Sequence, residues 1–418
     1  MERRRYLSLL TTGSMGAGGC LEGLGPGSGR ASTDPGEGGP PDLPVPESAL
    51  HRAVERDAIP AIVDPAFARD WSGLKTSVPS APLRESVEPR LSPASPVIGV
   101  ESRALASTEP GERAAGRDGR ARAYPLSILE WHEVVNDRLG GPLLVTYCPL
   151  CGSGVVAERR IGSGPRGGIV TSFGVSGLLW RGNLVLYDRA TGSLWSQLLG
   201  RAVRGPRTGE RLRLLPSRLT TWGEWREGHP DTEVLLPPPR SDTVRGPDAT
   251  FDYTVDPYLS YDTSSTVGAG NTAFEDDRLH PKAPVVGVES EAPASTERDE
   301  SPVKRNAEAR AYPLTTVERL RVVNDTVGGR PVVVAVTPSR SLVAYDRRVG
   351  DRTLRVLPVG GGEMRAGGSR WRLATGRAVD GPHEGHRLSS ATERSSMFWF
   401  AWAKLSPDTE VYRPWDVV

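Results

Sequence analysis

Cysteine, lysine and long apolar runs are what this sequence has least of. Only three of its 418 residues are cysteine, too few for a disulfide framework to replace a hydrophobic core. No run approaches the roughly 18 consecutive apolar residues needed to span a bilayer as a helix. Positive charge is almost entirely arginine, since Lys75, Lys282, Lys304 and Lys404 are the only lysines. Lys and Arg total 52 against 51 for Asp and Glu, a formal net charge of +1. That balance leaves no global field to draw nucleic acid or an acidic surface, so no nucleic-acid partner is expected. Two chemical signatures are also missing. GSGPRGG (Gly162 to Gly168) lacks the lysine and spacing of a phosphate-cradling loop and reads as a hairpin loop. SFGVSG (Ser172 to Gly177) is not a G-x-S-x-G nucleophile elbow. What is present is 48 glycines and 37 prolines, a composition that favours short strands and turns. A 37% hydrophobic fraction is enough for packed cores in two or three domains.

The N-terminus reads as an address. Arg3-Arg4-Arg5-Tyr6-Leu7 resembles a twin-arginine export signal, with Arg3 and Arg4 as the paired arginines. Ala17-Gly18-Gly19-Cys20 resembles a lipobox, in which the thiol of Cys20 receives diacylglycerol and becomes the mature N-terminus. Residues 1–20 are therefore assigned to the export and lipoprotein signal. Residues 21–50, rich in Gly, Pro, Ser and Asp, are read as a flexible tether. The expected location is extracytoplasmic, with the membrane as partner through the lipid anchor.

The chain also contains its own alignment. PVIGVES with ARAYPLSILEWHEVVND (residues 96–137) recurs as PVVGVES with ARAYPLTTVERLRVVND (residues 284–325), at an offset of 188. Further on, WSQLLGRAVRGPRTGERL resembles WRLATGRAVDGPHEGHRL, and TTWGEWREGHPDTEV resembles SMFWFAWAKLSPDTEV. The chain reads as two copies of one module, the second lacking much of the segment between Val155 and Asn183. Shared positions, among them the Tyr-Pro pair, the Asn-Asp pair and the tryptophans Trp195, Trp222 and Trp225, are scaffold. Asp188 and Asp231, matched by Asp346 and Asp408, are assigned to turns and caps. The unshared positions are more telling: His132 becomes Leu320, Cys148 becomes Thr337, Cys151 becomes Arg340 and His229 becomes Ser406.

The expected class is α+β and β-rich, in two tandem related modules, the second degenerate and shortened. Ser127 to Asp137 has its apolar residues at helical spacing, with Ser127 and Glu130 in capping-box positions. Leu143 to Tyr147 reads as a buried strand whose return follows the cysteines. TTWGEWREGHP reads as a short helix. The first module is placed at 51–236, a linker or packed extension at 237–281, and the second module at 282–418.

Cys148-Pro149-Leu150-Cys151-Gly152 resembles the metal knuckle of rubredoxins and zinc ribbons. Proline presets the turn, and glycine admits positive φ after the second sulfur. With no second knuckle in the chain, His132 and His229 are the candidates to complete a set with Cys148 and Cys151, because all four disappear together from the second copy. Such a set suits zinc and also iron or copper. A thiol–disulfide redox pair, a plain disulfide and inert thiols remain open. Glu133, beside His132, points off the helical face that a hydrolytic base would need.

ARAYPLSILEWHEVVND, GPLLVTYCPLCGSGVV, FGVSGLLWRGNLVLYDRATGSLWSQLLGRAVRGP and TTWGEWREGHPDTEVL together resemble the domain-of-unknown-function family numbered 3179. The resemblance covers roughly residues 55 to 415 and implies a secreted or envelope protein, with no reaction attached. The functional expectation is an anchored envelope lipoprotein with a metal at CPLCG. Its alternatives are a thiol–disulfide redox protein and a non-catalytic envelope binding or scaffold protein.

Overall fold

The computed structural model describes residues 43–77, 86–87, 91–102, 120–162, 168–262, 264, 266–269, 274–290 and 308–414. Arg3, Arg4, Cys20 and the tether up to residue 42 lie outside the described residues.

Small and β-branched residues in PVIGVE and ARAYP suit a tightly paired sheet. They form the antiparallel strands β1 (Pro96–Glu101) and β2 (Ala121–Pro125). Helix α1 (Leu126–His132) follows directly. The structure corrects the sequence reading here. Glu133 adopts φ 59, which ends the helix, and Val134 to Arg138 become strand β3 instead of a continuing helix. Consecutive Val134 and Val135 prefer the pleated surface, where their branched side chains pack on both sides. The residue before the helix is Pro125, without a side-chain cap, so the Ser127–Glu130 capping box does not form.

Strand β4 (Pro142–Cys148) pairs with β3 on one side and β5 (Ser153–Glu158) on the other. These three are the centre of a six-stranded sheet edged by Leu214–Leu215, Ile62–Asp64 and Asp242–Thr243. A second sheet runs β6 (Phe173–Trp180), β7 (Asn183–Asp188), β8 (Leu194–Ser196) and β9 (Arg201–Arg204), with Leu50–Arg52 on its edge. The short helix expected near Trp222 is α2 (Trp222–Gly228), capped by Thr221, whose hydroxyl accepts from the Glu224 N–H. Val45 is buried and its N–H bonds Val203 O, so ordered packing reaches back to residue 43, inside the span read as tether.

In the second half, β10 (Pro284–Glu289) and β11 (Ala309–Pro313) pair as β1 and β2 do. Helix α3 (Leu314–Leu320) leads into the antiparallel β12 (Val322–Val327), β13 (Arg330–Val336) and β14 (Leu342–Asp346). The closing helix is α4 (Trp399–Leu405). The chain is strand-rich with few, short helices.

The recurrent residues make recurrent contacts. Asp137 accepts from Arg122 at 2.8 Å and from the Tyr124 hydroxyl at 2.6 Å; Asp325 accepts from Arg310 and Tyr312, both at 2.8 Å. Asn136 brackets the Phe173 backbone, and Asn324 brackets that of Val356 in the same way. Trp225 Nε1 bonds Thr232 Oγ1 and Trp402 Nε1 bonds Thr409 Oγ1, each at 2.9 Å. Each of these two indoles lies flat on a strand glycine, Gly99 or Gly287. Trp195, Trp222 and Trp225 are all buried, and Asp188 gathers Thr191, Ser193 and Trp195 around a turn. The scaffold assignments hold for these residues. Arg160–Ile161 and Ile169–Val170 pair as the stem of the expected hairpin, while residues 163–167 lie outside the described residues.

A Cβ at Gly99 or Gly287 would enter the facing indole. Gly99→Ala and Gly287→Ala are each expected to lower unfolding free energy by about 1–3 kcal/mol, read as a lower urea midpoint with unchanged slope.

Candidate functional site: the buried CPLCG knuckle and the cavity above it

Strand β4 delivers Cys148 into a single 3-10 turn, Pro149–Cys151, and Gly152 leaves it at φ 58. The expected strand–turn–strand setting, with proline in the turn and glycine in the left-handed region, is what the backbone adopts. Neither sulfur is in a disulfide, and both are buried. Burial pushes the Cys148 thiol well above its ordinary range, and its hydrogen bond with Cys151 and the nearby Glu133 carboxylate push the same way. Cys151 Sγ donates to Gly182 O at 3.5 Å and accepts from Asn183 Nδ2 at 3.4 Å. Asn183 also donates to Gln197 Oε1 at 2.9 Å, and the Gln197 amide donates to Thr146 Oγ1 and Ser153 O. The sulfurs therefore sit at one end of a satisfied, buried amide network.

Three later segments close over the turn. The Tyr261 hydroxyl, in the short helix Leu259–Asp262, donates to Leu150 O at 2.8 Å. Lys282 Nζ lies 3.5 Å from the Tyr261 ring centroid and donates to the backbone oxygens of Tyr261 and Ser264. Burial pushes the Lys282 ammonium down to about 8. From the C-terminal half, Phe398 packs on Gly152, and Ser395 Oγ accepts from Gly154 N at 2.8 Å.

The structure does not bring the expected four-ligand set together. His132 is fully buried in a different cluster: Nδ1 lies 2.7 Å from Pro60 O and Nε2 lies 2.9 Å from the Tyr253 hydroxyl. His229 sits at the end of α2, with Nδ1 at 3.0 Å from Trp225 O, Nε2 at 2.9 Å from Glu101 Oε1, and its ring stacked on Trp225. Cys148 and Cys151 adjoin one another, but neither imidazole faces them. Among the described residues no group of three or more His, Cys, Asp or Glu side chains is placed to hold a metal ion. The physical reason is that both imidazoles are consumed by scaffold hydrogen bonds. At the position matching His229, Ser406 donates to Glu289 at 2.5 Å, as His229 meets Glu101. The co-loss of His229 is thus an exchange of one scaffold hydrogen bond for another. Glu133, expected to point away, is buried near Cys148 because it terminates α1 in the left-handed region.

Above the network, Asn183 and Ser196 form part of the wall of a cavity of about 370 Å³ between residues 180–211 and residues 289–409. Sequence reasoning missed Asn183, Gln197, Tyr261 and Lys282. A signal existed for Asn183, since it ends the segment that the second copy lacks; Lys282 and Tyr261 carry none, because their role arises from long-range packing.

The family model for a protein of unknown function, DUF3179, matches residues 56–409. The chain belongs to the DUF3179 family. This DUF3179 protein matches no curated protein and no solved structure. Among its described residues no helix is long and apolar enough to cross a membrane.

The scaffold role of His229 has a pH signature. Burial alone would raise the Glu101 carboxyl, but the His229 hydrogen bond and the Arg387 charge outweigh it and hold it at about 2. A depressed carboxylate stabilises the fold above its ordinary value near 4.5, and that contribution is lost as pH falls through the folded value. Acid unfolding of the wild type should therefore steepen between about pH 4.5 and 2. Glu101→Gln is expected to flatten that limb in a stability-against-pH series.

Proposed function

We propose that this DUF3179 protein is an exported, lipid-anchored envelope protein of two related modules. Its body is a ligand-binding scaffold, and its cysteines serve the fold. The observation that carries the reading is the setting of CPLCG. The turn is buried, its Leu150 carbonyl accepts from Tyr261, the strand leaving it is held at Gly154 by Ser395, and Asn183 links Cys151 to a cavity bounded by both halves. A side chain locked into the core by neighbours from distant segments is suited to rigid support, whereas a nucleophile or redox thiol works from an exposed, thiolate-favouring place. The matching contacts of Asp137 and Asp325, and of Trp225 and Trp402, support the two-module description. The export signal at Arg3 and Arg4 and lipidation at Cys20 supply the address, and the tether holds the body off the membrane.

A second reading has one observation in its favour: Cys148 and Cys151 are within hydrogen-bonding reach of each other. In that reading the pair is a buried dithiol that cycles to a disulfide.

Elemental analysis and thiol titration of the purified protein, beside a Cys148→Ser/Cys151→Ser double variant, separate these. Scaffold cysteines predict no stoichiometric zinc, iron or copper, no two-electron titration, and a variant that folds with a lowered melting midpoint. Stoichiometric metal that is lost in the variant overturns the reading, and a reversible two-electron titration replaces it with the dithiol. For the address, Arg3→Lys/Arg4→Lys is expected to hold the precursor in the cytoplasm. Cys20→Ser is expected to abolish lipid labelling, with unchanged fractionation as the contrary result.

A further inference from the structure

The lining of the cavity between the two halves carries more positive than negative side chains. Its lining includes Arg181, Arg201, Arg211, Arg394 and Lys404 against only Glu289 and Asp408, an excess of three positive charges in a chain whose overall net charge is +1. Glu289 is already engaged on both oxygens: Oε1 accepts from Ser406 at 2.5 Å and Oε2 from Arg394 at 3.0 Å. Arg201 donates through Nε to Gly209 O at 3.0 Å, with no acidic partner among the described residues. Arg211 has neither a hydrogen bond nor an ion pair from its guanidinium among the described residues. Burial lowers its proton affinity, and the neighbouring charges of Arg201 and Arg394 lower it further.

The internal repeat provides the comparison that gives this arrangement meaning. In WRLATGRAVDGPHEGHRL, Arg377 and Arg387 stand where Arg201 and Arg211 stand in the first copy. The same backbone bridge joins each pair, Arg201 to Arg211 and Arg377 to Arg387. Arg387 is neutralised by Glu101, which belongs to the opposite half. The equivalent carboxylate facing Arg211 is Glu289, which favours the Arg211 charge electrostatically but gives its hydrogen bonds to Arg394 and Ser406. In the second copy Arg387 has a carboxylate bonded to it, whereas among the described residues Arg201 and Arg211 line the cavity with no carboxylate hydrogen-bonded to either. Guanidinium forks bind planar oxyanions in bidentate fashion, and their strength rises as the site loses water.

We propose that this cavity is a binding site for a small oxyanion ligand carrying two or more charged groups, a di- or tricarboxylate or an organic phosphate, held by Arg201 and Arg211. The inference deepens the ligand-binding reading above and rests on it. Asn183 Oδ1 already accepts from Leu198 N and its amide nitrogen meets Cys151 and Gln197, so the floor is rigid. Arg181 reaches across the mouth to the carbonyl of Lys404 at 3.4 Å, tying the two walls together. The volume of about 370 Å³ suits a metabolite-sized ligand and falls within the usual range of small-molecule sites.

The test uses the full chain in low-salt buffer, with citrate, inorganic phosphate and a neutral sugar titrated by calorimetry and by thermal shift at matched ionic strength. Saturable binding of citrate or phosphate, weakened at least tenfold in Arg201→Gln/Arg211→Gln, is the expected result; the stronger of the two probes names the anion class. Because the two guanidiniums repel one another, the double variant should melt no lower than wild type without ligand, so lost binding is not lost folding. Arg377→Gln, at the matching place in the other copy, should leave anion affinity unchanged. Anion binding that survives the double variant, or a response no greater than that to sodium chloride, overturns the proposal. Binding of the neutral sugar alone overturns the anion assignment while leaving the ligand-binding reading in place.

Discussion

The structure turns on the burial of one five-residue turn between segments that are far apart in sequence. Cys148 to Gly152 belongs to a core cluster that also contains Tyr258, Tyr261, Val285, Met397, Trp399 and Trp402. Residues from both ends of the repeat and from the region between them therefore share one dry interior. Backbone polar groups carried into such an interior must find partners there, and these do: Leu150 O from Tyr261, and both backbone groups of Gly154 from Ser395. Removing water from the turn also pushes the Cys148 thiol away from its thiolate form, which is why the same burial argues for support over thiolate chemistry.

The contacts that recur between matched segments set much of the remaining geometry. Arg, Tyr and Asp from ARAYP and VVND meet in each half across two different sheets, the strand before the short helix lying in one and the strand after it in the other. A charge that is both ion-paired and hydrogen-bonded is tolerated in a core where a lone one would not be. The differences between the halves then carry the information. Where the first copy places Asn183, Gln197 and the cysteines, the second has a shortened three-stranded sheet and a separate hairpin sheet, Leu357–Gly360, Glu363–Ala366 and Ser369–Arg372. Arg387 is hydrogen-bonded to Glu101, whereas among the described residues no carboxylate is hydrogen-bonded to Arg211. A cavity with its own electrostatic character follows from that asymmetry and not from any motif.

Legibility from sequence was uneven for physical reasons. The strands around the knuckle and the turn itself were readable because Pro149 and Gly152 constrain φ locally. The helix after Pro125 was readable in its first turns only. Its amphipathic spacing continued through Val134 and Val135, and the pairing of those residues with Thr146 and Val145 overrode the local pattern. The proposed convergence of His132 and His229 on the sulfurs failed because the co-loss of residues between two copies reports a shared history, not shared space.

Sequence alone determined the family, the strand-rich class, the two-copy pattern and the turn at CPLCG, since each rests on local spacing or on matched segments. Tertiary structure alone decided where the imidazoles point, that Tyr261 packs against the turn with Lys282 on its ring, and that among the described residues no carboxylate is hydrogen-bonded to Arg211 as Glu101 is to Arg387. Those outcomes depend on which residue reaches a given acceptor first across hundreds of positions, a competition settled by packing and invisible to any window of sequence.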